Sequence, residues 1–141
     1  MTLNYEVMLE QFAQLLNEQG DYCDYGCSED KVEEMIARAR DLFPSKPCCV
    51  VGRWCWADID FDPEHEKLIN AAGFKTCFIY ANRVIADEKK RWSENTCIRT
   101  TLLVEFHPPC IFSSKNTNYI LCGQGVRLKV IPAVYSNFHF D

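Results

Sequence analysis

The spacing of apolar residues changes once along this chain, near Phe74. Before that position apolar residues recur every three or four positions, which is the period of an amphipathic helix. After it they fall on alternate positions, as they do in half-buried strands. These patterns predict helices at 3–18, 29–43 and 63–72, and strands at 48–51, 76–81, 97–106, 110–114, 118–122 and 126–131.

This segregation of helices and strands predicts an α+β fold. N-terminal helices should pack on one face of a mostly antiparallel C-terminal sheet of four to six strands. The tail AVYSNFHF alternates aromatic residues and is predicted to pair at a sheet edge. The chain has 141 residues, which predicts a single domain over 1–141 with a sizeable buried core.

The third predicted helix carries strong boundary signals. Asp62 suits the N-cap, Pro63 suits the first helical position, and Gly73 suits the residue after the last turn. Its apolar residues, which we expect to face inward, are Leu68, Ile69 and Ala72.

The stretch PCCVVGRWCW, residues 47–56, holds three cysteines, two tryptophans and an arginine in ten positions. Cys48 and Cys49 are adjacent, so on a strand their side chains would point to opposite faces and could not easily bind one ion. We therefore interpret the cysteines as packing residues. Trp54 and Trp56 share one face, and a tryptophan pair near a strand end is a candidate contact surface.

The chain has nine cysteines. Their number is odd, and the start MTLNYEVMLEQF has acids where an export signal needs basic residues, so we expect free thiols and a cytoplasmic location. We expect no cofactor. Two alternatives remain open: a small cysteine-dependent enzyme, and a structural zinc module, whose ligands would be Cys97, His107, Cys110 and Cys122.

Charge is divided unevenly along the sequence. The net charge is −5, but residues 1–70 hold 15 acids and 6 bases, whereas residues 71–141 hold 5 acids and 9 bases. An acidic front half would repel phosphate, which argues against direct binding of nucleic acid. No apolar run is long enough for a membrane helix. This distribution of charge favours a protein partner with a basic surface. Formation of a homodimer is a further possibility that the sequence leaves open.

The segment DIDFDPEHE, residues 58–66, is the densest run of acids. Its aspartates match the first ligands of a calcium loop, but Pro63 stands where that loop needs glycine and Ile69 where it needs glutamate. We therefore interpret the segment as a negative patch beside the two tryptophans. The predicted partner-binding residues are Arg53, Trp54, Trp56, Asp58, Asp60, Glu64 and Glu66.

The second half of the chain, with WSENTCIRTTLLVEFHPPCIF and NTNYILCGQGVRLKV, resembles a small uncharacterised domain of bacteria and prophages over roughly residues 50–131. The resemblance implies a mobile genetic element. In size and acidity the chain is similar to phage anti-CRISPR inhibitors, which cover nucleic-acid-binding surfaces of host complexes. The sequence thus predicts a small acidic protein-binding protein without catalytic activity, such as an inhibitor of host defence.

Overall fold

The structure, a computed structural model, describes residues 2–93 and 96–137, with side chains from residue 5 onward. Four α-helices in this part of the chain are α1 (Thr2–Leu16), α2 (Val32–Leu42), α3 (Pro63–Ala71) and α4 (Pro132–Asn137). The strands are β1 (Asp21–Cys23), β2 (Cys48–Ile59), β3 (Cys77–Asp87), β4 (Ile98–Arg99), β5 (Leu103–His107), β6 (Ile111–Ser114), β7 (Asn118–Leu121) and β8 (Gly125–Val130). A 3₁₀ turn, Glu29–Lys31, leads into α2.

Strand β2 organises the whole sheet. One edge of β2 pairs with β3 in an antiparallel ladder. The opposite edge is shared, because β7 pairs in parallel with residues 48–51 and β8 pairs in parallel with residues 55–59. Strands β6 and β5 extend the sheet from β7, β1 extends it from β8, and β4 pairs with β3. The sheet therefore divides into two branches midway along β2.

The branch point is built around the indole of Trp54. Trp54 Nε1 donates a hydrogen bond of 3.2 Å to the carbonyl oxygen of Gly123, in the turn between β7 and β8. A Cβ atom on Gly125 would lie 2.3 Å from the Trp54 ring, so only glycine lets the β8 backbone approach the indole so closely. Gly123 has φ +76°, a conformation that other residues adopt at a cost. The sequence GQG is thus required by local packing.

Two apolar clusters lie on the two faces of the sheet. In the second half of β2 successive side chains alternate between them, with Trp54 and Trp56 in one cluster and Cys55 and Ala57 in the other. The first cluster includes Met35 and Ala39 of α2. The second includes Leu15 of α1 and Val134 of α4. The helices are therefore distributed over both faces.

The α+β class predicted from the sequence is confirmed, and two details of the predicted arrangement are wrong, the number of strands and the placement of the helices. The sheet has eight strands in the described residues rather than four to six. It is a mixed sheet, because β2 has two parallel neighbours, whereas its five other pairings are antiparallel. The helices do not share one face. Parallel pairing joins segments that are distant in sequence, so local apolar periodicity contains no signal for it.

Several predicted elements also have different bounds. The strand predicted at 97–106 is interrupted at Thr100, whose side chain accepts a hydrogen bond from the backbone N–H of Ile79. The short strand at 48–51 continues to Ile59. The tail predicted as an edge strand forms α4 over Pro132–Asn137, and its last residues lie outside the described chain. None of the described helices has the length and apolar character needed to cross a membrane.

Candidate functional site

Helix α3 lies almost entirely outside the core. It begins where the sequence predicts, because Asp62 accepts a hydrogen bond of 2.9 Å from the backbone N–H of His65 and Pro63 occupies the first turn. The helix has no buried residue. Ile69 is its one half-buried residue, and half-buried Phe61, two residues before the helix, packs against the second cluster. With so few contacts to the core, α3 exposes nearly its whole surface. A nine-residue helix is only marginally stable by itself.

The prediction that Leu68 and Ala72 face inward is wrong. The side chain of Leu68 is 70% exposed, and Ala72 is exposed as well. Leu68 sits one turn above Glu64 and one turn below the exposed Ala71, so these residues share one face. Together with Lys67 they border an open, mainly apolar groove of about 450 Å³. Leu68 is a surface residue that sequence periodicity alone assigned to the core.

One exposed acid, Glu64, borders this groove, and Lys67 borders it as well. Asp60 and Glu66 border a second, more polar depression of about 240 Å³, which Asp58 and Lys129 also line. We define the acidic α3 surface as the exposed residues Asp60, Glu64, Glu66, Leu68 and Ala71. It presents a small apolar centre beside Glu64, with Asp60 and Glu66 at the second depression.

Two of the predicted partner-binding residues are buried in the fold, and a third is paired with neighbouring side chains of the same chain. Trp54 is fully buried and Trp56 is 4% exposed, so neither tryptophan is an accessible contact. Trp56 packs against Phe106 and Phe112 with ring centroids 5.0 and 5.3 Å apart. The interpretation of the cysteines in PCCVVGRWCW as packing residues is confirmed. The prediction that the tryptophan pair forms a contact surface is wrong, because both rings are buried.

Asp58 is the third of these residues. Arg127 donates two hydrogen bonds to its carboxylate, and the indole Nε1–H of Trp56 donates another of 3.2 Å to Oδ1. The Arg127 guanidinium also lies over the Trp56 ring, 5.1 Å from its centroid. The charge of Asp58 is therefore compensated by Arg127 of the same chain. Asp58 has a structural role rather than a role in binding a partner.

Arg53 is exposed but remote from α3. Its guanidinium forms an ion pair with Glu18, with Nη2 2.6 Å from Oε2. Its backbone has φ +48°, at the position where β2 passes the branch point. Asp60 is seven positions further along the extended chain, a span of about 23 Å. The structure therefore does not join Arg53 with the acids of α3 in one site.

The proposed zinc ligands do not converge either. Cys97 packs with the α1 side of the sheet, whereas Cys110 and Cys122 belong to the opposite cluster. His107 pairs instead with the carboxylate of Glu105 and packs edge-on against Phe43. Within residues 2–93 and 96–137 no group of three His, Cys, Asp or Glu side chains is arranged to hold a metal ion.

The thiols are buried and weakly acidic. Eight cysteines are buried, Cys97 is half-buried, and all nine are free. Burial raises the pKa of Cys48 to about 11 and the pKa of Cys49, Cys55 and Cys77 to about 12. Since the thiolate is the reactive form, a raised pKa is the opposite of what a nucleophilic cysteine needs.

Comparison with known proteins gives one match. A family model described as a domain of unknown function, DUF6957, matches residues 24–136, a range that includes α3 and the entire sheet except β1. No curated protein and no solved structure matches the chain.

Proposed function

The chain belongs to the DUF6957 family, and we propose that it is a protein-binding protein without catalytic activity, which contacts a basic partner through the acidic α3 surface. The observation that carries this proposal is the exposure of α3. A helix that contributes no buried residue to the core, yet carries Leu68 at 70% exposure beside Glu64, is available for contact with another molecule.

The chemistry of the acidic α3 surface supports a basic protein partner. Asp60, Glu64 and Glu66 lie at its edge, where charges act mainly on the rate of encounter and on the choice of partner. Leu68 and Ala71 form the apolar centre, which loses contact with water when a partner covers it. Phosphate groups would be repelled by the same acids, so nucleic acid is a poor ligand for this surface.

The state of the cysteines favours binding over thiol catalysis. A nucleophilic cysteine is activated by a base or a cation that lowers its pKa. In this chain burial raises the pKa of Cys27 and Cys122, and that of the fully buried Cys110. These thiols are therefore suited to packing.

The narrower form of the proposal concerns the partner. A cytoplasmic host protein whose basic surface normally binds nucleic acid would be blocked by an acidic cover, as an inhibitor of a defence complex would do. With a purified partner, this form predicts that the chain and a nucleic acid compete for the same surface.

Charge reversal tests the proposal directly. A triple variant, Asp60→Lys, Glu64→Lys and Glu66→Lys, changes only exposed side chains, and circular dichroism checks that the fold persists. The matched control reverses three exposed acids elsewhere, Asp24→Lys, Glu33→Lys and Asp41→Lys, for the same change in net charge.

The readout is quantitative mass spectrometry of lysate proteins retained by each immobilised variant. We expect a protein that the wild type and the control retain and the α3 variant loses. Its purified form should bind more weakly as salt rises, because exposed charges are screened. Loss of the same protein from both triple variants would show a nonspecific charge effect, and equal retention by all three would exclude the acidic α3 surface.

A further inference from the structure

Three of the nine cysteines meet where separate segments of the chain cross. Cys27 precedes the 3₁₀ turn, Cys110 precedes β6, and Cys122 follows β7. Cys27 and Cys122 pair as an isolated parallel β-bridge. The thiol of Cys110 donates a hydrogen bond to the sulfur of Cys27. One cysteine of the loop before α2 therefore lies beside two cysteines at the base of the β6–β7 hairpin.

Backbone hydrogen bonds fix the position of Cys27. Its N–H donates to the carbonyl oxygen of Leu121 over 2.9 Å, and its own carbonyl oxygen accepts from the N–H of Gly123 over 2.8 Å. One residue earlier, the N–H of Gly26 donates to the carbonyl oxygen of Pro109 over 2.7 Å. The loop is therefore attached to both ends of the hairpin, which holds the two hydrogen-bonded thiols together in the folded chain.

Within this hydrogen-bonded pair, Cys27 is the thiol that a small molecule can reach. Cys27 is 8% exposed and lines an open depression of about 280 Å³, together with residues of its own loop and of the GQG turn. Cys110 is fully buried. A dissolved oxidant would therefore meet Cys27 first, with the thiol of Cys110 already in contact with it. Groups that are held in contact react far more readily than free molecules do.

We propose that Cys27 and Cys110 form a reversible oxidation site, at which a hydroperoxide converts the two thiols into a disulfide. With hydrogen peroxide, the Cys27 thiolate attacks the O–O bond, which gives a sulfenic acid and, after uptake of one proton, water. The Cys110 sulfur then attacks the Cys27 sulfur, so that the S–O bond breaks, the S–S bond forms, and a second water leaves with the thiol proton.

In this reaction the two thiols lose two electrons and two protons, and one hydrogen peroxide is reduced to two waters. An excess of a small thiol reverses it by thiol–disulfide exchange. The site is independent of the acidic α3 surface, and either proposal can fail without the other.

Oxidation at this site should be slow at neutral pH. Burial raises the pKa of Cys27, and the hydrogen bond from Cys110 offsets only part of that rise. Since the thiolate is the form that attacks peroxide, the rate should increase about tenfold from pH 7 to pH 8, because both values lie below the pKa. An equal rate at the two pH values would exclude attack by the Cys27 thiolate.

The test treats the folded full-length chain with an equimolar amount of hydrogen peroxide at pH 8. Remaining thiols are then blocked with N-ethylmaleimide in denaturant, and unreduced tryptic peptides are mapped by mass spectrometry. Trypsin places Cys27 on peptide 1–31, Cys110 on peptide 100–115 and Cys122 on peptide 116–127. We expect peptide 1–31 to be linked to peptide 100–115, with a loss of two from the nine free thiols that dithiothreitol restores.

Two variants assign the linkage within peptide 1–31, which also holds Cys23. Cys27→Ser should abolish the link to peptide 100–115. Cys23→Ser removes the other buried thiol of the same peptide, so it is the matched control and should keep the link.

Three results would overturn the site. The nine thiols could all survive peroxide while the chain is folded, peptide 1–31 could be linked to peptide 116–127 instead, or Cys27→Ser could retain the link to peptide 100–115. If Cys27→Ser does not fold, fragmentation of the linked wild-type peptides decides between Cys23 and Cys27. Linkage through Cys27 supports the site, and linkage through Cys23 excludes it.

Discussion

Arg127 holds the carboxylate of Asp58 at two points, with Nε 2.7 Å from Oδ2 and Nη2 3.1 Å from Oδ1. The pair joins β8 to β2 across a parallel ladder. The same carboxylate accepts the indole N–H of Trp56, so it also satisfies a nearly buried donor. Asp58 therefore differs in role from Asp60, which stands two residues further along and is exposed.

Replacing these two aspartates should separate their roles. Asp58→Ala leaves the Trp56 N–H without its acceptor and removes the charge partner of Arg127, so we expect a loss of about 2 kcal/mol in the free energy of unfolding. Asp60→Ala should stay within about 0.5 kcal/mol of the wild type. Urea unfolding followed by tryptophan fluorescence measures both. Equal losses for the two variants would contradict the assignment of Asp58 to the fold.

The close approach of Gly125 to Trp54 supports a second prediction. In Gly125→Ala the new methyl group would lie 2.3 Å from the indole ring, so the β8 backbone or the ring must move, at a cost of about 3 kcal/mol. Gly73→Ala is the control, because Gly73 has φ +95° but no atom within 4 Å of an added Cβ. Its cost should be about 1 kcal/mol from backbone strain.

Adding Trp54→Phe tests the cause of that loss. A smaller ring gives the Gly125→Ala methyl group more room, so the double variant should lose less stability than the two single losses added together. Additive losses would place the strain somewhere other than the contact between Gly125 and the indole.

The sequence predicts the boundaries of elements better than their partners. The N-cap of α3 at Asp62 depends on residues within one turn, and it was predicted correctly. The hairpin of β6 and β7 also depends on nearby residues, and its strands lie within the predicted ranges. The two parallel neighbours of β2 depend on side chains more than 60 positions away, and local periodicity has no access to such a distance.

The candidate site shows the same limit. Asp60, Glu64 and Glu66 were predicted as surface residues because acids are rarely buried, and the structure exposes them. Trp54 was predicted to be a contact residue and is buried, whereas Leu68 was predicted to face inward and is exposed. The spacing of apolar residues in the sequence is the same whether or not a neighbouring element covers them. The neighbour that covers Trp54 is the GQG turn, whereas Leu68 stays 70% exposed in the part of the chain that the structure describes.

Thiol labelling should distinguish Cys97 from the other cysteines. Cys97 is half-buried, with its Sγ 3.8 Å from the carbonyl oxygen of Asn82, whereas the other eight cysteines are buried. In the native state a thiol reagent should label one residue quickly and the rest slowly, and unfolding should reveal nine. Cys97→Ala should abolish the fast phase alone. Persistence of that phase in the variant would identify a different accessible thiol.

Stability should fall steeply in alkali because the buried thiols resist ionisation. Burial raises the pKa of Cys49, Cys55 and Cys77 from 9.0 to about 12. Below pH 9 these thiols are protonated in both the folded and the unfolded chain, so their contribution to stability is complete. Between about pH 9 and pH 12 the unfolded chain loses these protons while the folded chain keeps them, and the free energy of unfolding decreases as pH rises.

A single-cysteine variant isolates this effect from the titration of lysines and tyrosines. We expect each buried thiol to account for a loss on the order of 1 kcal/mol between pH 9 and pH 10. Cys55→Ala should therefore reduce the slope of the free energy of unfolding against pH by the contribution of one buried thiol. Cys97→Ala, at the half-buried position, serves as the comparison. The measurement is urea unfolding in the presence of reductant at intervals from pH 8 to pH 10.5. If the slopes of the wild type and Cys55→Ala coincide, the Cys55 thiol ionises as readily in the folded chain as in the unfolded one, and burial does not control its acidity.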